Sequence, residues 1–236
     1  MHGRAFFLFF LFWCAATQAG IQFDSTRIIY PAAKREITLA LTNNASTPRL
    51  LQAWMDNGDP TLRPDTSTVP FIVTPPVFRL NAAKGQTLRI RFIGGNVPQE
   101  RESVFWLNVL EVQPKTKHKA NDDNVIQFPV RSRLKLFYRP TGLLGTPGDA
   151  VKALRWRLVS EAGQDNMECE NPSAFSVSFA RISLSEADEQ DEGVTGMCPA
   201  KGRYFFTLPG TGQGKIYYTT INDHGGFTRH HAVYSH

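Results

Sequence analysis

Apolar and polar residues alternate in short runs along the first 140 positions of the chain. Ile37, Leu39 and Leu41 form one such row, and Leu88, Ile90 and Phe92 form another. A period of two sends one face of a strand to a core and the other to water. Comparable runs at Arg27 to Tyr30, Glu36 to Asn43, Leu50 to Asp56, Phe71 to Thr74, Gln86 to Ile93, Val104 to Val112 and Val125 to Pro140 predict seven short strands between turn-forming residues. That pattern points to a β-sandwich. Arg139-Pro140-Thr141-Gly142 and Gly145-Thr146-Pro147-Gly148 have the composition of a linker, stiffened by proline and freed by glycine. Beyond it, Leu154 to Val159, Phe175 to Leu184, Arg203 to Leu208, Lys215 to Ile221 and Phe227 to Tyr234 predict a second, smaller sandwich, with the acidic stretch Glu186 to Glu192 as a solvated loop. No uninterrupted stretch of twelve residues has a helical period. The chain is therefore predicted to be all-β, with sandwich domains over 20–142 and 143–236 that meet at a cleft.

The last strand of the first sandwich stands apart from the others. Ile126, Phe128 and Val130 leave one face together, and Pro129 between them has no N–H to give to a ladder. A proline belongs at a sheet edge or bulge. An apolar row on an unpaired edge is an aggregation hazard unless something pairs with it, and it is a template for strand addition to another chain's unfinished sheet.

Composition narrows the setting. Arg4, an apolar run from Ala5 to Ala16 and the small-residue site Thr17-Gln18-Ala19 read as a secretory signal over residues 1–19, too short in its apolar part to span a bilayer. The mature chain is expected to begin near Gly20, in an exported setting and without stable membrane insertion. Losing Arg4 lowers the formal charge of +5 by one. So small an excess gives no support to nucleic-acid binding. Cys14 leaves with the leader, and Cys169 and Cys198 remain as an even pair that an oxidising compartment favours joining. No Cys or His pair has the short spacing of a structural zinc site, so no metal or cofactor is expected.

Arg131, Arg133, Lys135 and Arg139 follow the apolar row along the same strand. Arg131 and Arg133 read as a solvated face. Lys135, between Leu134 and Leu136 and close to the linker, is placed to hold a carboxylate with help from an arginine. The segment Lys135-Leu136-Phe137-Tyr138-Arg139-Pro140 resembles the signature of the periplasmic chaperones that assemble pili by the chaperone and usher route. Ser25-Thr26-Arg27, Thr74-Pro75-Pro76-Val77-Phe78-Arg79-Leu80, Arg101-Glu102-Ser103 and Ile221-Asn222-Asp223-His224-Gly225-Gly226 agree in order and spacing.

That resemblance implies two immunoglobulin-like β-sandwich domains in a boomerang arrangement. It implies that Arg27 and Lys135 anchor a pilus subunit's C-terminal carboxylate and that Ile126, Phe128 and Val130 are lent to a subunit lacking a strand. It also implies an interdomain ion network of Glu102, Arg139 and Asp223, periplasmic localisation, and an outer-membrane usher as second partner. An open apolar edge further allows a second copy to cap it. One mismatch of parity stands out, because the donor row is even and Lys135 is odd; strand twist or a bulge near Arg131 would reconcile them. The basic segment Gln113 to Asn124 is longer than in short-loop members of the family. Rival readings are a secreted two-domain enzyme and a pilus subunit. The first lacks a nucleophile motif, since His224 beside Asp223 reads as a turn. The second would lack its own last strand.

Overall fold

The computed structural model describes residues 20–112, 128–161, 164–186, 193–209 and 214–235. The leader, the segment Gln113 to Asn124 with Ile126, and most of the acidic stretch after Glu186 lie outside them. Strands are numbered in chain order. In the first sandwich, β1 (Ile21–Phe23), β3 (Ile37–Asn43), β7 (Gly85–Phe92) and β5 (Phe71–Thr74) form one sheet in the order β1-β3-β7-β5. Its partner sheet runs β2-β9-β8-β4-β6, from β2 (Arg27–Pro31), β9 (Val130–Arg139), β8 (Ser103–Val112), β4 (Arg49–Asp56) and β6 (Val77–Leu80). Ile37, Leu39 and Leu41 alternate inward as their spacing predicts, against Leu88 and Ile90 of the neighbouring strand. Leu51, Leu107, Leu136 and Tyr138 close the core from the facing sheet.

Sequence alternation missed the short strands β1 and β6. It also placed Phe128 and Pro129 in the last strand, whereas β9 begins at Val130, while Val125 to Gln127 lie outside the described residues.

The second sandwich pairs β10 (Arg155–Glu161), β11 (Gln164–Asn171) and β14 (Gly202–Phe206) in one sheet, in the order β10-β11-β14. The other runs β13-β12-β15-β16, from β13 (Val194–Cys198), β12 (Val177–Ser183), β15 (Lys215–Ile221) and β16 (Phe227–Val233). Trp156, Phe179, Phe206 and Tyr218 pack edge-on and tilted at its centre. The linker composition hides a helix, α1 (Pro147–Ala153). Thr146 caps it by accepting from the Asp149 amide, the Asp149 carboxylate accepts from the Thr146 amide in return, and Pro147 opens the first turn. Proline and glycine read as punctuation therefore mark a helix start here.

Cys169 and Cys198 are bonded, with Cα atoms 6.1 Å apart and a sequence separation of 29. The bond joins β11 to β13, and so links the two sheets of this sandwich across its core. Replacing both cysteines with serine is expected to cost the second sandwich about 3.5 kcal/mol, the chain-entropy value for a loop of this size. Denaturant unfolding of this domain measures it. Unfolded but unreduced mature protein should titrate no free thiol.

Candidate functional site

The site begins with the pairing of β9. On one side β9 pairs with β8 without a shift from Val130 opposite Glu111 to Tyr138 opposite Ser103. No bulge interrupts this pairing near Arg131, so the expected bulge is absent. Even-numbered residues of β9 face the core and odd-numbered ones face out, and the row and the lysine belong to opposite faces of one regular strand. On its other side β9 pairs with β2 in parallel, and only from Lys135 opposite Arg27 to Arg139 opposite Pro31. Among the described residues, the edge of Val130–Leu134 on that side carries no strand.

Phe128 and Val130 are 72 % and 53 % exposed. Val130 shares its face with Leu134, Leu136 and Tyr138, and Phe128 lies two residues before it, just outside the strand. The domain's own core stops before reaching them, because the inward-facing residue opposite Val130 is Glu111, in an ion pair with Arg49 (2.5 Å). This buried pair closes the end of the core. Beyond it, Phe128 and Val130 are exposed, and no strand of the described residues covers them.

On the outward face, parallel pairing sets Arg27 beside Lys135 at the mouth of the cleft. Arg27 is buried; its Nη1 donates to the Ile221 carbonyl oxygen (3.0 Å), while its Nε has no hydrogen-bond partner among the described residues. Lys135 Nζ lies 3.5 Å from Ser178 Oγ and 5.4 Å from the Trp106 ring centroid. Neither cation has an ion pair with an acid of the described residues. Burial, and then the neighbouring Arg27 charge, push the Lys135 ammonium from 10.5 down to about 8. Burial also lowers Arg27, with Asp223 opposing it. A cavity of about 380 Å3 adjoins Arg27, lined in part by Phe137, Val151, Val177 and Ile221. Glu102, Asn222, Asp223 and His230 add polar groups to its lining.

A second cluster fixes the cleft. Arg139 donates from Nε to Glu102 Oε1 (2.7 Å) and from Nη1 and Nη2 to the two Asp223 oxygens (2.8 and 3.1 Å). The other Glu102 oxygen accepts from the Ser176 amide (2.8 Å), and the Glu102 amide donates to the Ala174 carbonyl oxygen (2.9 Å). Burial still outweighs these partners and lifts the Glu102 carboxyl above its ordinary value. A buried ion cluster of this kind orients more than it stabilises. The turn carrying Asp223 rests on the first domain at Gly225, where φ is +83° and a Cβ would come within 2.7 Å of Thr26 Oγ1. His224 belongs to that turn, its amide bonded to Asn222 Oδ1.

Arg131 and Arg133 depart from expectation. Both are half-buried rather than solvated, and both bond to the fully buried Asn108, while Arg133 also binds the fully buried Asp56. No sequence signal linked these groups, because Asp56 and Arg133 lie 77 residues apart. Ser176, Ser178 and the Ile221 carbonyl were missed for the same reason.

Comparison with known proteins places this geometry. Residues 20–144 match the N-terminal domain family of pili and flagellar-assembly chaperones (PapD), and residues 149–232 match the C-terminal domain family of PapD pili assembly chaperones. The chain is 38 % identical over 222 residues to the chaperone protein FimB/FhaD of Bordetella pertussis, covering 92 % of this chain and 89 % of the relative. It is 40 % identical over 209 residues to the chaperone protein LpfB of Salmonella typhimurium, covering 87 % and 85 %. Among solved structures, the YadV chaperone superposes with a TM-score of 0.73 at 33 % identity, over 91 % of this chain and 100 % of that one. The Salmonella enterica SafA pilin in complex with the SafB chaperone gives 0.75 at 30 % identity, over 92 % and 98 %.

Proposed function

The chain belongs to the PapD family of pilus-assembly chaperones, and from that membership we propose that it captures pilus subunits in the periplasm by lending them the strand at Phe128 and Val130. Its two sandwiches divide near residue 142. Family members are chaperones, so the action is association rather than catalysis. The observation that carries the proposal is the coincidence of an exposed apolar row at the start of β9 with two cations, buried Arg27 on β2 and half-buried Lys135 on β9, that have no acid partner among the described residues.

Chain direction follows from the same geometry. A guest strand laid on the free edge of Val130–Leu134 continues the line of β2, which starts at Arg27 and runs parallel to β9. Its C-terminal carboxylate reaches Arg27 and Lys135 only if the guest strand also runs parallel to β9. The orphaned Arg27 Nε and the Lys135 ammonium then find the acceptor they lack, while Ile126, Phe128 and Val130 enter the guest's open core. Register is fixed, because a slip of one residue would turn the arginine face into that core. Glu102, Arg139 and Asp223 hold the second domain at the angle that keeps the anchor accessible. The outer-membrane usher then receives the complex and releases the strand.

Co-expression with the pilus subunits of the same organism should yield a soluble one-to-one complex that protects a subunit otherwise lost to aggregation. Subunits that stay soluble alone, or that never co-purify, would remove the proposal.

A further inference from the structure

We infer that Asp56 and Asn108 are positioning residues for strand donation, holding Arg131 and Arg133 across the sheet so that the half-paired segment Val130–Leu134 stays ordered before a guest arrives. This rests on the strand-donation reading above. An edge segment bonded on one side only is prone to fray, yet this one must present its apolar row in a single register.

The outward face supplies the brace. Arg133 Nη2 donates to both Asp56 oxygens (2.8 and 2.8 Å) and its Nε to Asn108 Oδ1 (3.1 Å). Arg131 donates from Nε and Nη2 to the same Asn108 oxygen (2.9 and 2.7 Å) and from Nη1 to the Pro60 carbonyl oxygen (2.6 Å). Asn108 Nδ2 donates to Asp56 Oδ2 (2.7 Å), closing the network. The guanidinium groups lie over the Trp54 and Trp106 rings, at 4.8 and 4.7 Å from the centroids, where cation–π attraction adds to the bonds.

Every one of these partners stands on β8, on β4 or in the loop after β4. None stands on the open side. Two long side chains that could have covered the free backbone edge are drawn away from it, and β9 is tied to two neighbouring strands at the level where β2 no longer supports it. Burying a carboxylate beneath two arginines gives little net stability, since desolvation offsets the attraction, whereas such clusters are well suited to fixing register. Lysine in place of Arg133 would keep the charge but lose the fork that reaches Asp56 and Asn108 together.

The experiment is hydrogen exchange on the free, full mature chain, with Asp56→Asn and the double variant Arg131→Gln/Arg133→Gln. The double variant changes half-buried side chains only, so it remains informative if Asp56→Asn folds poorly. Peptides over Val130–Leu134 should exchange about ten- to a hundredfold faster, the scale of one charge-assisted hydrogen bond. Peptides over Arg49–Met55 and Arg27–Pro31 should not change. Capture of the subunit recovered in the one-to-one complex should slow in proportion, and Arg133→Lys should not restore it. Unchanged exchange in Val130–Leu134, equal loosening of the whole sandwich, or a loosened segment that captures at the wild-type rate would each overturn the inference. Failure of strand donation itself has a different signature, normal capture by Phe128→Glu with undisturbed exchange.

Discussion

Lys135→Met is expected to weaken subunit capture about ten- to a hundredfold while leaving the free protein as stable as before, or more so. The lysine is half-buried, faces Arg27 at the start of β2, and has no acid to offset it among the described residues. Its ammonium is held at about 8 against an ordinary 10.5, by burial first and by Arg27 second. Between those values the unfolded chain holds a proton that the folded chain has lost, so stability rises with pH across that window, and the full cost of the charge is present below it. That cost is on the order of 2 kcal/mol once the water still reaching the amine is allowed for. At pH 7 the methionine variant should therefore melt a few degrees above wild type, and the difference should vanish above about pH 10. Capture moves the other way. A guest carboxylate loses a charge-assisted bond worth ~1.5 to 3 kcal/mol, so affinity falls about ten- to a hundredfold from this contact alone, and Arg27→Ala should do the same. Wild-type capture should also weaken as pH rises past 8, because a neutral amine no longer grips the carboxylate. Binding assays across pH 6 to 10 with paired melting curves decide this. Wild-type affinity in Lys135→Met would end the anchor assignment.

The fold was legible where a strand has a dry face and a wet one. Leu88 and Ile90 alternate with arginine and threonine, and the period is audible in the residues themselves. β11 has no such rhythm. In Gln-Asp-Asn-Met-Glu-Cys-Glu-Asn only Met167 and Cys169 are apolar, and its buried Glu168 is held by Arg157 and Arg203 from neighbouring strands. β13 is obscured by Gly196, which is there because the Phe206 ring fills the space a Cβ would need, 2.5 Å away. The site divides along the same line. Lys135 and the apolar row are local patterns within one strand, and they could be read directly. Arg131 and Arg133 could not, because the residues that make them structural sit on β4 and β8 and meet them only through pairing. The parity mismatch was an accurate observation, but the bulge expected to reconcile it is absent. A regular strand with its charges on one face and its apolar row on the other removes the conflict without any bulge.

Phe128→Glu should be the most damaging single change to capture, and the free protein should scarcely register it. Phe128 is 72 % exposed and follows the end of the domain's own core, which the Arg49–Glu111 pair closes opposite Val130. Most of its ring is in water in the free molecule, so melting and circular dichroism should match wild type closely. In the complex the ring moves from water into an apolar groove, a gain of about 1.5 to 3 kcal/mol. A glutamate in its place forgoes that gain and brings a charge that finds no partner there, at a further cost of several kcal/mol. The two losses together exceed what loss of one anchor bond would produce, and co-purification should fail outright. Phe128→Leu, which keeps an apolar side chain of the same parity, should capture within about tenfold of wild type. A leucine variant as impaired as the glutamate one would mean that this position works through ring-specific contacts. A glutamate variant that captures normally would mean that the row never enters the guest, and strand donation would have to be abandoned even with the anchor intact.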